Sequence, residues 1–203
     1  MKRFAYFDQM KGVAILFVVI GHVLIFSFGT SDNSVFHMLT IFHMPVFFYI
    51  SGYLAYRNIP TMKDWCQRLW KKTHALLFPY LIFAGLYSFF RGKDFLHLLR
   101  VGGAEYWFLY ILFLLTAFFM IYELLVKHLK HPILYVAAWL MPYSLLVYVQ
   151  HRYGDIGGAI NLLVAYYRFY LLGYLCKKYA PFNNLVFNNQ YVYVIGFVTF
   201  FAR

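Results

Sequence analysis

Long apolar segments dominate this sequence and decide what it can fold into. A helix needs about 20 residues to cross the hydrocarbon layer of a membrane, and seven segments approach that length. They cover residues 11–28, 35–56, 76–90, 106–126, 133–149 and 159–175, and a last one begins near residue 191. The sequence therefore predicts an all-α bundle of about six complete transmembrane helices and a partial seventh. We expect one integral-membrane domain over residues 1–203 that is truncated at its C-terminus.

The composition also places the chain among integral membrane proteins. It is 63% hydrophobic and only 12% charged, whereas a soluble domain is about half apolar and about a quarter charged. Aromatic residues make up 24% of the chain, and Tyr and Trp suit the headgroup interfaces of a bilayer. We therefore expect a multi-pass protein that is embedded in the lipid bilayer of an inner or plasma membrane.

The formal net charge of +11 predicts an orientation in the membrane and not a nucleic-acid partner, because the basic residues lie mostly on alternate connections between spans. One side of the membrane receives twelve of them: Lys2, Arg3, Lys11, Arg57, Lys63, Arg68, Lys71, Lys72, Lys127, Lys130, Lys177 and Lys178. The other side receives four: Arg91, Lys93, Arg100 and Arg152. Cytoplasmic loops carry the excess of Lys and Arg, so the amino terminus is predicted to be cytoplasmic.

The cytoplasmic connection over residues 57–77 mixes aromatic and basic side chains. Trp65 and Trp70 recur with the basic residues at helical spacing, which predicts an amphipathic helix that leads into the third span. Its basic residues include Arg68, Lys71 and Lys72. Two interpretations stay open: the helix anchors the protein on the membrane surface, or it forms a cationic entrance for an anionic ligand from the cytoplasm.

Each of the first two spans carries one histidine well inside it. His22 lies about 9 Å below the outer end of its helix, and His43 lies about 12 Å below the same face on the returning helix. Pro45 removes a backbone donor close to His43 and can kink that helix. The sequence thus predicts a polar pocket in the outer half of the membrane, with the two imidazoles at a similar depth.

These histidines favour a functional site, because an ionisable side chain within a span is costly unless it is used or paired. A neutral imidazole is the side chain best matched to removing a proton from a hydroxyl group near neutral pH. A metal site is not expected, since catalytic zinc needs three protein ligands and no acidic or thiol partner occurs at that depth.

Arg168 is a charge near the middle of the sixth span. Because arginine stays protonated, it needs a carboxylate, phosphate or carbonyl partner. It can hold a substrate or join two helices, and the sequence does not decide between these roles. Glu105 precedes the fourth span at the outer face, where such a residue is more often simply solvated.

Several motifs resemble the membrane-bound acyltransferase 3 family. Lys11, ten intervening residues and His22 are similar to the Arg/Lys-x10-His pattern on the first helix of that family. Phe47, three intervening residues and Ser51-Gly52 are similar to its Phe-x3-Ser-Gly pattern on the second helix. Resemblance to the fucose O-acetylase-like branch extends over Ile41 to Leu54, Tyr106-Trp107-Phe108-Leu109 and Phe169-Tyr170-Leu171-Leu172-Gly173-Tyr174.

The resemblance implies a bundle of about ten helices that transfers an acyl group, usually acetyl from acetyl-CoA, to a sugar hydroxyl. The acceptor would be an envelope or extracellular glycan or a lipid-linked sugar. The family pattern also implies that this chain holds only the first six or so of those helices.

Within that family, our hypothesis gives His22 the role of general base, with His43 orienting His22 or the acceptor. Lys11 would meet the donor from the cytoplasmic end of the same helix, and Arg68 would bind coenzyme A phosphates together with Lys71 and Lys72. The candidates for substrate contact on the acceptor side are Ser51, Trp107, Arg168 and Glu105. Gly52, with Ser51, favours close helix packing over nucleophilic attack, and a covalent acyl-histidine stays an alternative.

Two other functions are compatible with the sequence. In a transporter or channel, His22, His43 and Arg168 would line a polar path through the bundle. The third possibility is an inactive, truncated family member. The basic, Trp-rich connection and the lack of repeated halves favour the enzyme over the transporter.

Overall fold

A computed structural model of the chain describes residues 5–29, 34–57, 61–92, 94, 106–153 and 158–179. The elements in that part of the chain are all helical. They are α1 (Ala5–Phe28), α2 (Ser34–Ala55), α3 (Met62–Lys72), a π-helical turn (Thr73–Leu77), α4 (Phe78–Arg91), α5 (Trp107–Val126), α6 (Pro132–Tyr153) and α7 (Gly158–Lys178). Six helices are long and apolar enough to cross a membrane when α3, the π turn and α4 are counted as one. The prediction of an all-α transmembrane bundle is confirmed, and the seventh segment lies outside the described residues.

The third span differs most from its prediction. The expected amphipathic helix, α3, begins at Met62 and is capped by Thr61, whose hydroxyl oxygen accepts the backbone N–H of Asp64 at 3.1 Å. It then continues through the π turn into α4, so the predicted amphipathic helix and the third span form one helix of 30 residues. Pro79 follows the turn and lacks an N–H, so a local change to π geometry relieves its clash with the preceding turn. At about 45 Å, this helix is longer than the hydrocarbon layer.

Helix α2 crosses α7 at a point where only glycine fits on either side. A Cβ atom added to Gly52 would overlap the carbonyl oxygen of Tyr170. One added to Gly173 would overlap the carbonyl oxygen of Tyr49. The two backbones therefore touch, as membrane helices do at small residues, and the packing role predicted for Gly52 is confirmed.

A buried aromatic cluster fixes α7 against α5 and α6. Phe119, Trp139, Tyr167 and Tyr170 are almost fully buried, and the rings of Phe119 and Trp139 stack with their centroids 4.3 Å apart. The Tyr167 hydroxyl donates to the Trp139 carbonyl at 2.8 Å, and the Tyr170 hydroxyl donates to Oγ1 of Thr116 at 3.1 Å. These two bonds satisfy the buried tyrosine hydroxyls, whereas the buried Trp139 indole N–H has no hydrogen-bond partner among the described residues.

Helix α1 is more peripheral and packs mainly on α2. Ala14 is buried in that contact, and the ring of Phe17 meets that of Phe42 with centroids 5.7 Å apart. Near the amino-terminal end of α1, Phe7 packs edge-on against Tyr53 of α2, with ring centroids 4.7 Å apart. These contacts bring the two histidine-bearing helices side by side.

Candidate functional site

The two histidines lie near each other, His22 on α1 and His43 on α2. His43 is buried, and its Nδ1 lies 2.5 Å from the Leu39 carbonyl oxygen. A carbonyl only accepts, so Nδ1 carries the proton and Nε2 of the neutral ring keeps a lone pair. His22 is close enough for its charge to interact with His43.

His22 itself lies on the open side of α1. Its side chain is exposed, and its ring stacks on Phe26 with the centroids 5.6 Å apart. The preceding residue, Gly21, is the one turned toward α2, where an added Cβ would lie 3.6 Å from the Phe36 ring. His22 is the next residue, so its side chain is rotated by about 100° around the helix. It therefore lies at the edge of the α1–α2 contact. The sequence predicted a pocket that encloses His22, and the exposed side chain does not fit that prediction.

At the predicted cytoplasmic end, four cations come together in what we call the cationic cluster: Lys11, Arg57, Arg68 and Lys72. Arg68, Arg57 and Lys11 all lie close enough to Lys72 to repel its charge. Lys11 reaches this group from α1, and Lys72 from the end of α3. Lys71, which the sequence grouped with Lys72, is exposed. The motif lysine and two of the predicted donor-binding residues therefore converge, together with Arg57, which sequence reasoning had not selected.

Arg68 has a second role in the cluster. Its guanidinium donates to the Leu54 carbonyl at 3.5 Å and to the Ala55 carbonyl. These carbonyls end α2, where no intrahelical N–H remains to satisfy them. Arg68 thus caps α2 with one nitrogen, and the guanidinium has further donors for an anion.

A cleft lies beside the cationic cluster, between the ends of α2, α3 and α5. It encloses only about 70 Å³, well below the roughly 300–1,000 Å³ of small-molecule sites, so it is a shallow cleft that would hold part of a ligand. The residues that line it are Ala55, Tyr56, Arg57, Trp65, Arg68, Phe119, Met120, Glu123, Leu124, Lys127 and Tyr174. The Trp65 indole N–H donates to the Met120 carbonyl at 3.0 Å and so fixes α3 against α5 beside the cleft.

Glu123 is the acidic residue of this cleft. It accepts a hydrogen bond from the Tyr135 hydroxyl and lies 3.9 Å from the Lys178 ammonium, so it joins α5, α6 and α7. Burial raises the pKa of the neighbouring Tyr56, and the Glu123 carboxylate raises it further, so that phenol stays protonated. Sequence reasoning missed this network; its only signal was an acid inside the last turn of an apolar span.

Replacing Tyr135 by phenylalanine should lower the free energy of unfolding by about 1.5–3 kcal/mol, because the half-buried carboxylate loses its hydroxyl donor. Thermal unfolding of the purified protein in detergent measures the effect. Tyr143→Phe on the same helix is the matched control, since within the described part of the chain the Tyr143 side chain only stacks on Tyr167, with ring centroids 5.5 Å apart. Equal stabilities of the two variants would contradict the network.

The residues predicted on the acceptor side do not form one group. Trp107 is half-buried at the start of α5, and its ring stacks on Tyr166 with centroids 5.3 Å apart. Ser51 is half-buried next to the glycine crossing. Arg168 is exposed and has no contact with either histidine among the described residues; its guanidinium lies 5.0 Å from the Phe169 ring centre. Glu105 lies outside the described residues.

Comparison with known proteins shows which family this chain belongs to. A family model described as an acyltransferase domain (acyltransferase 3) matches residues 4–202. The nodulation protein NolL of Sinorhizobium fredii (strain NBRC 101917 / NGR234) is 32% identical over 187 residues, which cover 83% of this chain and 47% of that protein. NolL of Mesorhizobium japonicum (strain LMG 29417 / CECT 9101 / MAFF 303099) is 25% identical over 213 residues, covering 93% and 52%. The chain therefore spans about half the length of these curated relatives, and no solved structure matches it.

Proposed function

The chain belongs to the acyltransferase 3 family, and from that premise we propose that it takes part in transferring an acetyl group from acetyl-CoA to a sugar hydroxyl. The acceptor would be an envelope or extracellular glycan, or a lipid-linked sugar. The observation that carries this proposal is the convergence of Lys11, Arg57, Arg68 and Lys72 beside the cleft. A group of cations that repel one another is stabilised by a bound polyanion, and coenzyme A carries several phosphate charges.

Helix α1 carries both Lys11, in the cationic cluster proposed to bind the donor, and His22, the proposed general base. His22 lies eleven residues after Lys11, about 16 Å along α1. Phosphates held at the cationic cluster would let the pantetheine arm extend between the helices toward His22. In this proposal Lys11 and His22 would serve one site although they lie at different depths.

In the proposed reaction, His22 removes the proton of the acceptor hydroxyl as the oxygen attacks the thioester carbonyl. The tetrahedral intermediate then releases coenzyme A as a thiolate, which takes the proton back from the imidazolium. His43, whose Nδ1 is held by the Leu39 carbonyl, would accept a hydrogen bond through Nε2 and so orient His22 or the acceptor. A covalent acyl-histidine is the alternative route, and trapping of labelled acetyl on the protein would identify it.

On the acceptor side, we propose that Trp107 offers an aromatic face to the sugar. Its ring belongs to a stack with Tyr166 and Phe48, and the rings of Phe48 and Tyr166 lie 4.5 Å apart. Ser51 and Glu105 stay candidates for hydrogen bonds to the acceptor. Arg168 is not included, because its exposed side chain has no described contact with the histidine pair.

The direct test supplies radiolabelled acetyl-CoA and de-O-acetylated oligosaccharides to membranes that contain the protein. We expect alkali-labile label on the sugar, which an ester requires. Saturable donor binding without any ester would contradict the transfer reaction for this chain. Transport of acetate or protons without retention of acetyl-CoA would instead favour the transporter, in which a polar path would have to connect Arg168 with the histidines.

Replacing Trp107 by alanine should raise the KM for the acceptor about tenfold, since an aromatic stacking contact contributes on the order of 1 kcal/mol or more. The KM for acetyl-CoA should not change. Trp70→Ala is the control, because Trp70 is exposed on the α3 surface, with 62% of its area accessible. An equal change in both substrates' KM values would reject a specific role for Trp107.

A further inference from the structure

Arg168 occupies an unusual position for a charged residue. It lies ten residues from each end of α7, about 15 Å from either end of the span. Its side chain is exposed, and its contact among the described residues is the ring of Phe169. Because a guanidinium stays charged and is costly in hydrocarbon, this position requires a partner.

The face of α7 that carries Arg168 is the one its neighbours leave open. Tyr170 and Gly173 face α2, and Tyr167 faces α6 through its bond to Trp139. On the remaining side lies a stripe of exposed residues at helical spacing, formed by Ala165, Arg168 and Leu172. We call this stripe the Arg168 face.

The sequence places no acidic residue in the middle of an apolar segment. Its seven acidic residues are Asp8, Asp32, Asp64, Asp94, Glu105, Glu123 and Asp155. They lie between the apolar segments or near helix ends, and Glu123 is already bonded to Tyr135 and Lys178. Asp155 precedes Arg168 by 13 residues in the sequence and lies before the start of α7. A second copy of the chain has the same distribution, so a homodimer would offer no carboxylate either.

Lipid phosphate is excluded by distance. An extended arginine side chain spans only part of the about 15 Å that separates Arg168 from the helix ends, so it cannot reach the headgroup layer by snorkelling. A membrane helix with an acid at mid-depth is the remaining source of an anion. The small Ala165, one turn away, would let the backbone of such a helix approach closely.

We propose that the Arg168 face is an intramembrane docking surface for a helix from outside residues 1–203 that carries Asp or Glu near the bilayer midplane. The carboxylate would accept two N–H bonds from the guanidinium. This inference is independent of the acyl-transfer chemistry, because Arg168 has no described contact with the histidines or the cationic cluster.

The test uses a designed probe, a single-span helix of Leu and Ala with one central Asp, produced together with the protein in membranes. Association is measured by fluorescence transfer between labels on the two chains. We expect about tenfold tighter association with the Asp helix than with the same helix carrying Leu. Arg168→Gln should reduce association to the level of the Leu helix, and thermal unfolding of that variant alone should match the wild type.

Further variants test whether association depends on the shape of the Arg168 face or only on its charge. Leu140 is 49% exposed on α6, so Arg168→Leu combined with Leu140→Arg moves the charge to another lipid-facing position. We expect this relocation to lose most of the association, and Leu172→Trp to weaken it while Met141→Trp on α6 does not. Equal association after relocation, or equal binding of the Asp and Leu helices, would overturn the proposal.

Discussion

Replacing His22 by alanine should lower the rate of acetyl transfer by about 10²–10⁴-fold, the range that a general base contributes. The loss should appear in kcat, and the affinity for acetyl-CoA should stay within about twofold of the wild type, because His22 lies about 16 Å from Lys11. Initial rates of ester formation, with donor binding measured separately, provide both numbers.

His151→Ala is a suitable control, since His151 is an exposed histidine near the end of α6 and should leave the rate unchanged. Wild-type turnover in His22→Ala would remove His22 from the mechanism. A parallel loss of donor binding would instead indicate that the histidine acts through the fold of α1.

Replacing Gly52 or Gly173 by alanine should force α2 and α7 apart where they cross and destabilise the protein. The new methyl group at Gly52 or Gly173 would overlap a backbone carbonyl, not a side chain that can rotate away. Overpacking typically costs 1–3 kcal/mol, and we expect at least about 3 kcal/mol here because the backbones themselves must separate. Thermal unfolding in detergent, followed by near-ultraviolet circular dichroism, measures this loss.

Gly85→Ala serves as the matched control. Gly85 lies within α4, and an added Cβ would meet no atom within 4 Å. Alanine favours a helix over glycine by about 1 kcal/mol, so this variant should be equal to the wild type or more stable. Indistinguishable unfolding curves for Gly52→Ala and Gly85→Ala would mean that the crossing is looser than described.

The spans could be predicted from the sequence because the length of an apolar segment is a local property. Bounds of α2, α5 and α7 agree with the prediction to within a few residues. The sequence predicted that the amphipathic helix leads into the third span, but it did not show the π turn that joins α3 to α4 before Pro79. Local sequence does not show how a helix accommodates a proline.

Sequence spacing does not fix how each helix is rotated about its axis, so it could not show which side chains face the site. Lys71 and Lys72 are adjacent in the chain but lie about 100° apart around α3, and Lys72 is the more buried of the two. The same rotation turns Gly21 toward α2 and leaves His22 open. Arg57 joins the cluster through tertiary packing, and the Glu123 network depends on α6 and α7, so neither could be derived from spacing alone.

Binding of acetyl-CoA to the purified protein tests the central claim most directly, because it needs no acceptor. Equilibrium dialysis with labelled acetyl-CoA should show saturable binding that weakens as salt is added. Arg57→Gln combined with Lys72→Gln should weaken it by at least about tenfold, or 1.4 kcal/mol, whereas Lys63→Gln with Lys130→Gln, two exposed lysines outside the cluster, should change it by less than about twofold. No saturable binding, or an equal loss in both double variants, would contradict a donor site at the cationic cluster.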